Sequence, residues 1–383
     1  MKNLAEGKNA RGAIKSASKV LAWALGVMLI VTGIVPGFAA ESKASNQNGE
    51  KVVVSDSTTK KPEDSVKERE RKANPVILKD KCYEMRRKKA IKCKKTIRIQ
   101  RPVKRGVTYN LNKSGNVKAI KDNDGNINVT ATNTSGDMKI DRQKWIDMVL
   151  ALGGEYSTTD IGLTWSSDKR TFNFNTNGIR LPDNSHTLFR GFKGPILGCG
   201  KLNTSNVTNM RGMFWTTEEA NPDVLNWDTS NVTNMYAMFL CAEKANPDVS
   251  KWNTSKVTDM AMMFYNAKKA NPDVSKWNTS NVTNMGSMFC GAEKANPDVS
   301  KWNTSNVIDM AEMFCDAKEA NPDVSKWNTS KVTNMVGMFY DAKEANPDVS
   351  KWNTSKVTDM EEMFYGAKKA NPDVSKWNTS KVK

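Results

Sequence analysis

From residue 203 onward the apolar positions of this chain recur with a period of 25 residues and no slippage. The string Ala-Asn-Pro-Asp-Val-Ser-Lys-Trp-Asn-Thr-Ser appears verbatim six times, beginning at Ala245, Ala270, Ala295, Ala320, Ala345 and Ala370, with a variant at Ala220. Within one unit Val257, Met260, Met263, Phe264 and Ala267 fall at offsets 0, 3, 6, 7 and 10, the spacing of one face of an α-helix. Thr254 and Ser255 precede that face and suit a helix N-cap. Asn271-Pro272 then interrupts it, because proline lacks a donor and pushes its predecessor toward extended geometry. Asp273 to Trp277 reads as a short extended piece. The pattern predicts a helix of about three turns plus a short strand in every repeat.

A unit this small cannot bury enough apolar surface to offset the entropy of ordering its backbone, so each repeat needs a neighbour on both sides. Stacking aligns the tryptophans from Trp227 to Trp377 in one row and the Met-Phe pairs in another. Trp252, Val257, Met260, Met263 and Phe264 are the expected core of one repeat. The repeats differ most at Gly212, Ala237, Met262, Ser287, Glu312, Gly337 and Glu362. On a helical wheel these positions point away from the apolar face, either as a surface read by a partner or as drift on a solvated face. Cys290 and Cys315 share one slot, filled elsewhere by Trp215, Leu240, Tyr265, Tyr340 and Tyr365. If strands of adjacent repeats pair about 5 Å apart, a disulfide between the two is geometrically allowed. Small core hydrophobes are the plainer reading. The Asn-Thr-Ser and Asn-Val-Thr triplets match glycosylation sequons but also serve as capping and turn chemistry.

Upstream the periodicity changes. Trp145, Met148, Val149 and Leu152 predict a helix over 141–152, stopped by Gly153-Gly154. Alternation at Thr96 to Ile99 and at Ile127 to Thr130 predicts strands, with turns at Lys113 to Asn116 and Asp122 to Gly125. Further short strands are expected at Leu163 to Trp165 and Thr171 to Phe174. The Asp122/Asp124 pair lacks the glycine and distal glutamate of a calcium loop and reads as a plain turn. The predicted fold class is an α/β solenoid: a leucine-rich-repeat-like stack of short helix plus short strand repeats over 201–383. A small α+β region precedes it, with a capping part at 136–200 and short β-hairpins in a basic segment at 79–135.

The first 78 residues look different again. Lys2, Lys8, Arg11, Lys15 and Lys19 precede an apolar run from Val20 to Val35, and Gly37 and Ala39 are the small residues of a cleavage site. Residues 1–40 read as a signal peptide, leaving no stable transmembrane span after processing. Residues 41–78 are polar and charged and read as a disordered linker. The whole chain carries 58 basic and 41 acidic residues, a formal charge of +17, which favours polyanionic partners. Arg86, Arg87, Lys88, Lys89, Lys92, Lys94 and Lys95 form the densest basic run. They are candidates for binding an anionic cell-wall polymer or a glycan, or simply a solvated like-charged stretch. Export argues against nucleic acid as a partner.

Catalytic chemistry is scarce. His186 is the single histidine, which removes histidine triads and multi-histidine metal sites, and it lies in a polar loop with no partner apparent in the sequence. The six cysteines lack the paired spacing of a zinc site. Asp141, Asp147, Glu155, Asp160, Asp168 and Asp183 are the carboxylates of 141–200 open to an exported hydrolase, and no motif links them. No cofactor and no catalytic residue is assigned, and the chain reads as a non-enzyme.

The motif Asn-Thr-Ser-Asn-Val-Thr-Asn-Met-x-x-Met-Phe at 203–214, recurring through Met363-Phe364, resembles the BspA-like leucine-rich repeat surface proteins of bacteria. Ile179 to Pro182 and Leu188 to Gly194 also resemble that family, so the likeness covers about residues 140–383. It implies a leucine-rich-repeat-like solenoid, a secreted or cell-surface location, and adhesion to host matrix or cell-surface proteins. Leucine itself is nearly absent from the repeats, where valine, methionine and tryptophan take its place. The alternative function is a structural spacer or stalk, tethered to anionic polymers by the basic N-terminal segment.

Overall fold

A computed structural model describes residues 106–383, apart from 158–161 and 167–169. The chain divides into units of residues 1–79 and 80–383, and every described residue belongs to the second. The expected signal peptide and linker, the basic run at 79–105 and the Thr96 to Ile99 strand lie outside the described residues.

Three strands open the described chain: β1 (Thr108–Asn110), β2 (Val117–Lys121) and β3 (Ile127–Ala131). The predicted turns join them into an antiparallel meander. At the second turn Asp122 Oδ1 accepts the amides of Asp124 and Asn126 at 3.0 and 2.8 Å, so its carboxylate closes a loop. Helix α1 (Arg142–Ala151) follows, capped by Asp141, whose side chain accepts the Lys144 amide. Gly153, at φ +88°, ends it, and a Cβ on Gly154 would lie 2.5 Å from Val149. Strands β4 (Glu155–Ser157) and β5 (Gly162–Thr164) form a separate antiparallel pair. Strands β6 (Phe172–Phe174) and β7 (Ile196–Leu197) extend the first sheet in parallel, giving the order β1-β2-β3-β6-β7. The centre of this region is aromatic: Trp145, Trp165, Phe172, Phe174, Phe189 and Phe192 pack mostly edge to face. Phe189 then stacks on Phe214 at 5.5 Å, so the same core runs on into the repeats.

The repeats overturn the expected α/β solenoid. Among the described residues α1 is the single α-helix, the other regular elements are strands in open sheets and a short 3-10 turn, and no repeat contains a helix. A helix would send each amide back to the carbonyl four residues earlier. Here alternate amides leave the turn altogether. The N–H groups of Met235, Ala237, Phe239 and Cys241 donate to the carbonyls of Asp259, Ala261, Met263 and Tyr265 in the next turn, at 2.7–3.0 Å. The amides between them close tight local turns, as Met238 to Met235 and Leu240 to Ala237. Two residues per turn must take the left-handed conformation to permit this: Ala237 at φ 53° and Cys241 at φ 55°, with their equivalents in every turn from Thr187 to Gly366. A right-handed helix cannot pass through such residues. Thr254 is not an N-cap either: its hydroxyl donates to the Asn278 carbonyl of the next turn, at 3.0 Å.

The apolar spacing that suggested a helix serves this coil instead. Val257, Met260, Met263, Phe264 and Ala267 are fully buried, and Trp252 is nearly so. Phenylalanines from Phe189 to Phe364 stack turn on turn with centroids 5.3–5.7 Å apart. Tryptophans from Trp227 to Trp377 stack at 6.3–6.5 Å, their planes within 3° of parallel. Each indole from Trp252 onward donates to a valine carbonyl of the preceding turn, as Trp302 to Val274 at 3.1 Å. On the side after each Asn-Pro, side chains take over the bridging: the amide of Asn271 donates to Asn246 Oδ1, and the pattern continues to Asn371. Cys290 and Cys315 sit buried in adjacent turns as thiols, not joined to each other.

The left-handed slot gives a prediction of opposite sign to a helical repeat. Ala237→Gly costs roughly 1 kcal/mol in a helix interior. At φ 53° it instead relieves a strained residue and raises stability by up to about 1 kcal/mol. Chemical denaturation of the two proteins decides the sign.

Candidate binding surface

The extended part of each turn supplies the exposed side chains. In one repeat Asn271, Asp273, Lys276, Asn278, Asn281 and Thr283 are exposed, while the alternating Pro272, Val274, Trp277, Thr279 and Val282 are buried. Because turns stack in register, each exposed position becomes a row along the stack. Asp248, Asp273, Asp298, Asp323, Asp348 and Asp373 form one row, and Lys251, Lys276, Lys301, Lys326, Lys351 and Lys376 form the next. The hydroxyl and then the amide of the serine two residues on hold each aspartate's carboxyl below the usual range, with the neighbouring lysine adding to the effect.

A second edge lies at the Glu-Lys corners. There the charges pair between adjacent turns, as Glu243 with Lys268, Glu293 with Lys318 and Glu219 with Lys244. Lys294–Glu319 and Lys369–Glu344 complete the same pattern. A groove of about 760 Å³ follows this edge, lined by Asn296, Asn321, Asn346, Glu319, Glu344 and Lys369. Residues 184–383 hold 23 basic and 22 acidic side chains, so the repeats are nearly neutral and the cationic excess resides upstream.

The positions where repeats differ are not an exposed reading face. Ala237, Met262 and Ser287 are buried, as are Gly212 and Gly337, and Glu312 and Glu362 are half-buried. They are the left-handed residues of the coil, and the helical wheel misplaced them because no helix exists there. His186 is also more enclosed than its polar loop implied. Arg142 Nη2 lies 3.0 Å from its Nε2, and Asn184 Oδ1 lies 2.7 Å from its Nδ1. A guanidinium can only donate, so Nε2 accepts and the proton sits on Nδ1. Burial, with the charges of Arg142 and Arg211, pushes the pKa down to about 4, leaving the ring neutral near pH 7.

The candidate polyanion residues Arg86, Arg87, Lys88, Lys89, Lys92, Lys94 and Lys95 lie outside the described residues. Among the described residues no group of three or more His, Cys, Asp or Glu is placed to hold a metal, and no helix is long and apolar enough to cross a membrane.

One internal row carries acid chemistry that the sequence reading did not single out. Asn209, Asn234, Asp259, Asn284, Asp309, Asn334 and Asp359 form the bridge position that links the turns. Asp259 and Asp309 accept the amides of Ala261 and Ala311. Burial nevertheless raises both to about 6. The signal was legible: aspartate replaces asparagine at an otherwise neutral position of the repeat. A carboxyl whose pKa rises on folding adds stability that is complete below about pH 4 and is lost as pH climbs through about 6. The double variant Asp259→Asn, Asp309→Asn is therefore more stable than the wild type near pH 7, and the gap closes near pH 4. Thermal unfolding of both proteins across that range tests it.

The sequence pattern of a family described as "Mycoplasma protein of unknown function, DUF285" matches residues 184–301 and again 291–383, together just over half of the chain. No curated protein and no solved structure matches it.

Proposed function

The chain belongs to the DUF285 family of mycoplasma proteins of unknown function, and on that premise we propose that its repeats form a binding stack displayed outside the cell. Its role in this reading is adhesion to a host matrix or cell-surface protein. The observation that carries it is the repetition of one exposed surface: Asp-Val-Ser-Lys-Trp-Asn-Thr-Ser presents the same side chains in six successive turns. Identical sites in a row convert weak single contacts into avidity for a repetitive partner. They suit catalysis poorly, because a reaction needs one differentiated constellation of groups. The likeness to BspA-like surface proteins supports the adhesive role, and the cationic start, apolar run and small residues of 1–40 support export.

A second reading rests on the charge distribution. With the repeats nearly neutral and the basic residues upstream, the stack would be a spacer, and residues 79–105 would hold an anionic wall polymer or glycan.

Binding of the full chain to immobilised fibronectin, at physiological and at high salt, separates the two. The adhesion reading expects saturable binding that persists at high salt, since only binding driven by charge alone is screened away. Binding that vanishes at high salt, and equally on deletion of residues 79–105, would transfer the function to the basic segment.

A further inference from the structure

The two edges of the stack treat charge in opposite ways. At the Glu-Lys corners unlike charges occupy successive turns and pair within the molecule, as Glu243–Lys268 and Glu293–Lys318. On the Asp-Lys face like charges occupy successive turns. Six aspartates are stacked in one row and six lysines in the next, all exposed. The repulsion within a row is felt: Asp248 raises the carboxyl of Asp273, against the stronger lowering by Ser275 and Lys276. Capping explains the aspartates, since one carboxylate oxygen accepts the serine two residues on, as Asp248 with Ser250. Each lysine lies near enough to the aspartate of its own turn to lower that carboxyl, yet it makes no ion pair within the described residues and remains exposed.

We propose that this double row is a docking surface for a second copy of the chain, lying parallel to the first. The partner follows from symmetry. Turned by half a revolution about an axis parallel to the stack, a second copy sets its lysine row against the first copy's aspartate row, and its aspartates against the first copy's lysines. Turned about an axis across the rows, it would set aspartate against aspartate and lysine against lysine. The pattern therefore selects parallel stacks paired side by side, with an isologous interface. Each exposed pair is weak alone, so the contact depends on many turns engaging together and is sensitive to salt. It goes beyond adhesion, because it pairs the protein with itself; it occupies the Asp and Lys rows of the repeated surface and leaves the exposed asparagine row from Asn253 to Asn353, the Glu-Lys edge and its groove to a host partner.

Sedimentation velocity of the full chain provides the test. The expected result is a dimer at low salt that dissociates at about 1 M salt, where screening reaches about 3 Å. A variant carrying Lys251→Glu, Lys276→Glu, Lys301→Glu, Lys326→Glu, Lys351→Glu and Lys376→Glu should be monomeric at both, with unchanged circular dichroism. As a check independent of that variant's folding, zero-length carbodiimide cross-linking of mixed ¹⁴N and ¹⁵N wild-type protein should give mixed-isotope Asp–Lys links between these rows. A monomer at low salt, a dimer that survives high salt, or mixed-isotope links confined to other residues would overturn the proposal.

Discussion

The repeat structure depends on where alternate backbone amides go. In each turn from Ser185 to Asp341 four N–H groups, such as those of Met235, Ala237, Phe239 and Cys241, cross to the carbonyls of the following turn. A buried amide without an acceptor is costly, so each turn within the stack depends on a following neighbour in register. This constraint fixes the period, because an insertion of one residue would move every donor off its acceptor. It also calls for left-handed residues such as Ala237 and Cys241 between the local turns. The aromatic rows follow from it: once backbones are in register, equivalent side chains have no choice but to stack, and Phe on Phe and Trp on Trp fill the interior.

The same registration governs the surface. Any side chain that faces outward in one turn is copied along the stack, so chemistry appears as rows rather than as points. At the Glu-Lys edge the repeats vary in charge from turn to turn, and the rows neutralise themselves through pairs such as Glu219–Lys244. On the Asp-Lys face they do not vary, and the rows remain charged. Internally, the bridge row is neutral wherever asparagine occupies it and titratable wherever aspartate does, as at Asp259 and Asp309. A stack of this kind offers extent and repetition, which suit a partner that is itself long or repeated.

Much of this was legible in the sequence. The period, the dependence of one repeat on the next, the helix stopped by Gly153-Gly154 and the stacked tryptophans all follow from residue spacing and turn chemistry. The secondary structure of the repeats did not follow. Offsets of 0, 3, 6, 7 and 10 fit a helix face and fit equally a chain of tight turns that presents Val257, Met260, Met263 and Phe264 to one interior. Periodicity reports which side chains face inward, not where the amides point. A better signal was present: glycine recurs in one slot at Gly212 and Gly337 and in another at Gly191, Gly291 and Gly366, all with positive φ. Read as backbone requirements rather than as variation on a solvated face, those glycines would have argued against a helix. The enclosure of His186 could not be read at all, because Arg142 is brought to it only by the fold.

The most direct measurement compares the far-ultraviolet circular dichroism of the full chain with that of a chain lacking residues 245–319, a deletion of three whole repeats. The difference spectrum isolates the repeats from everything upstream. The inter-turn account predicts a difference without the double minimum of an α-helix. A difference with that double minimum, in proportion to the repeats removed, would contradict it.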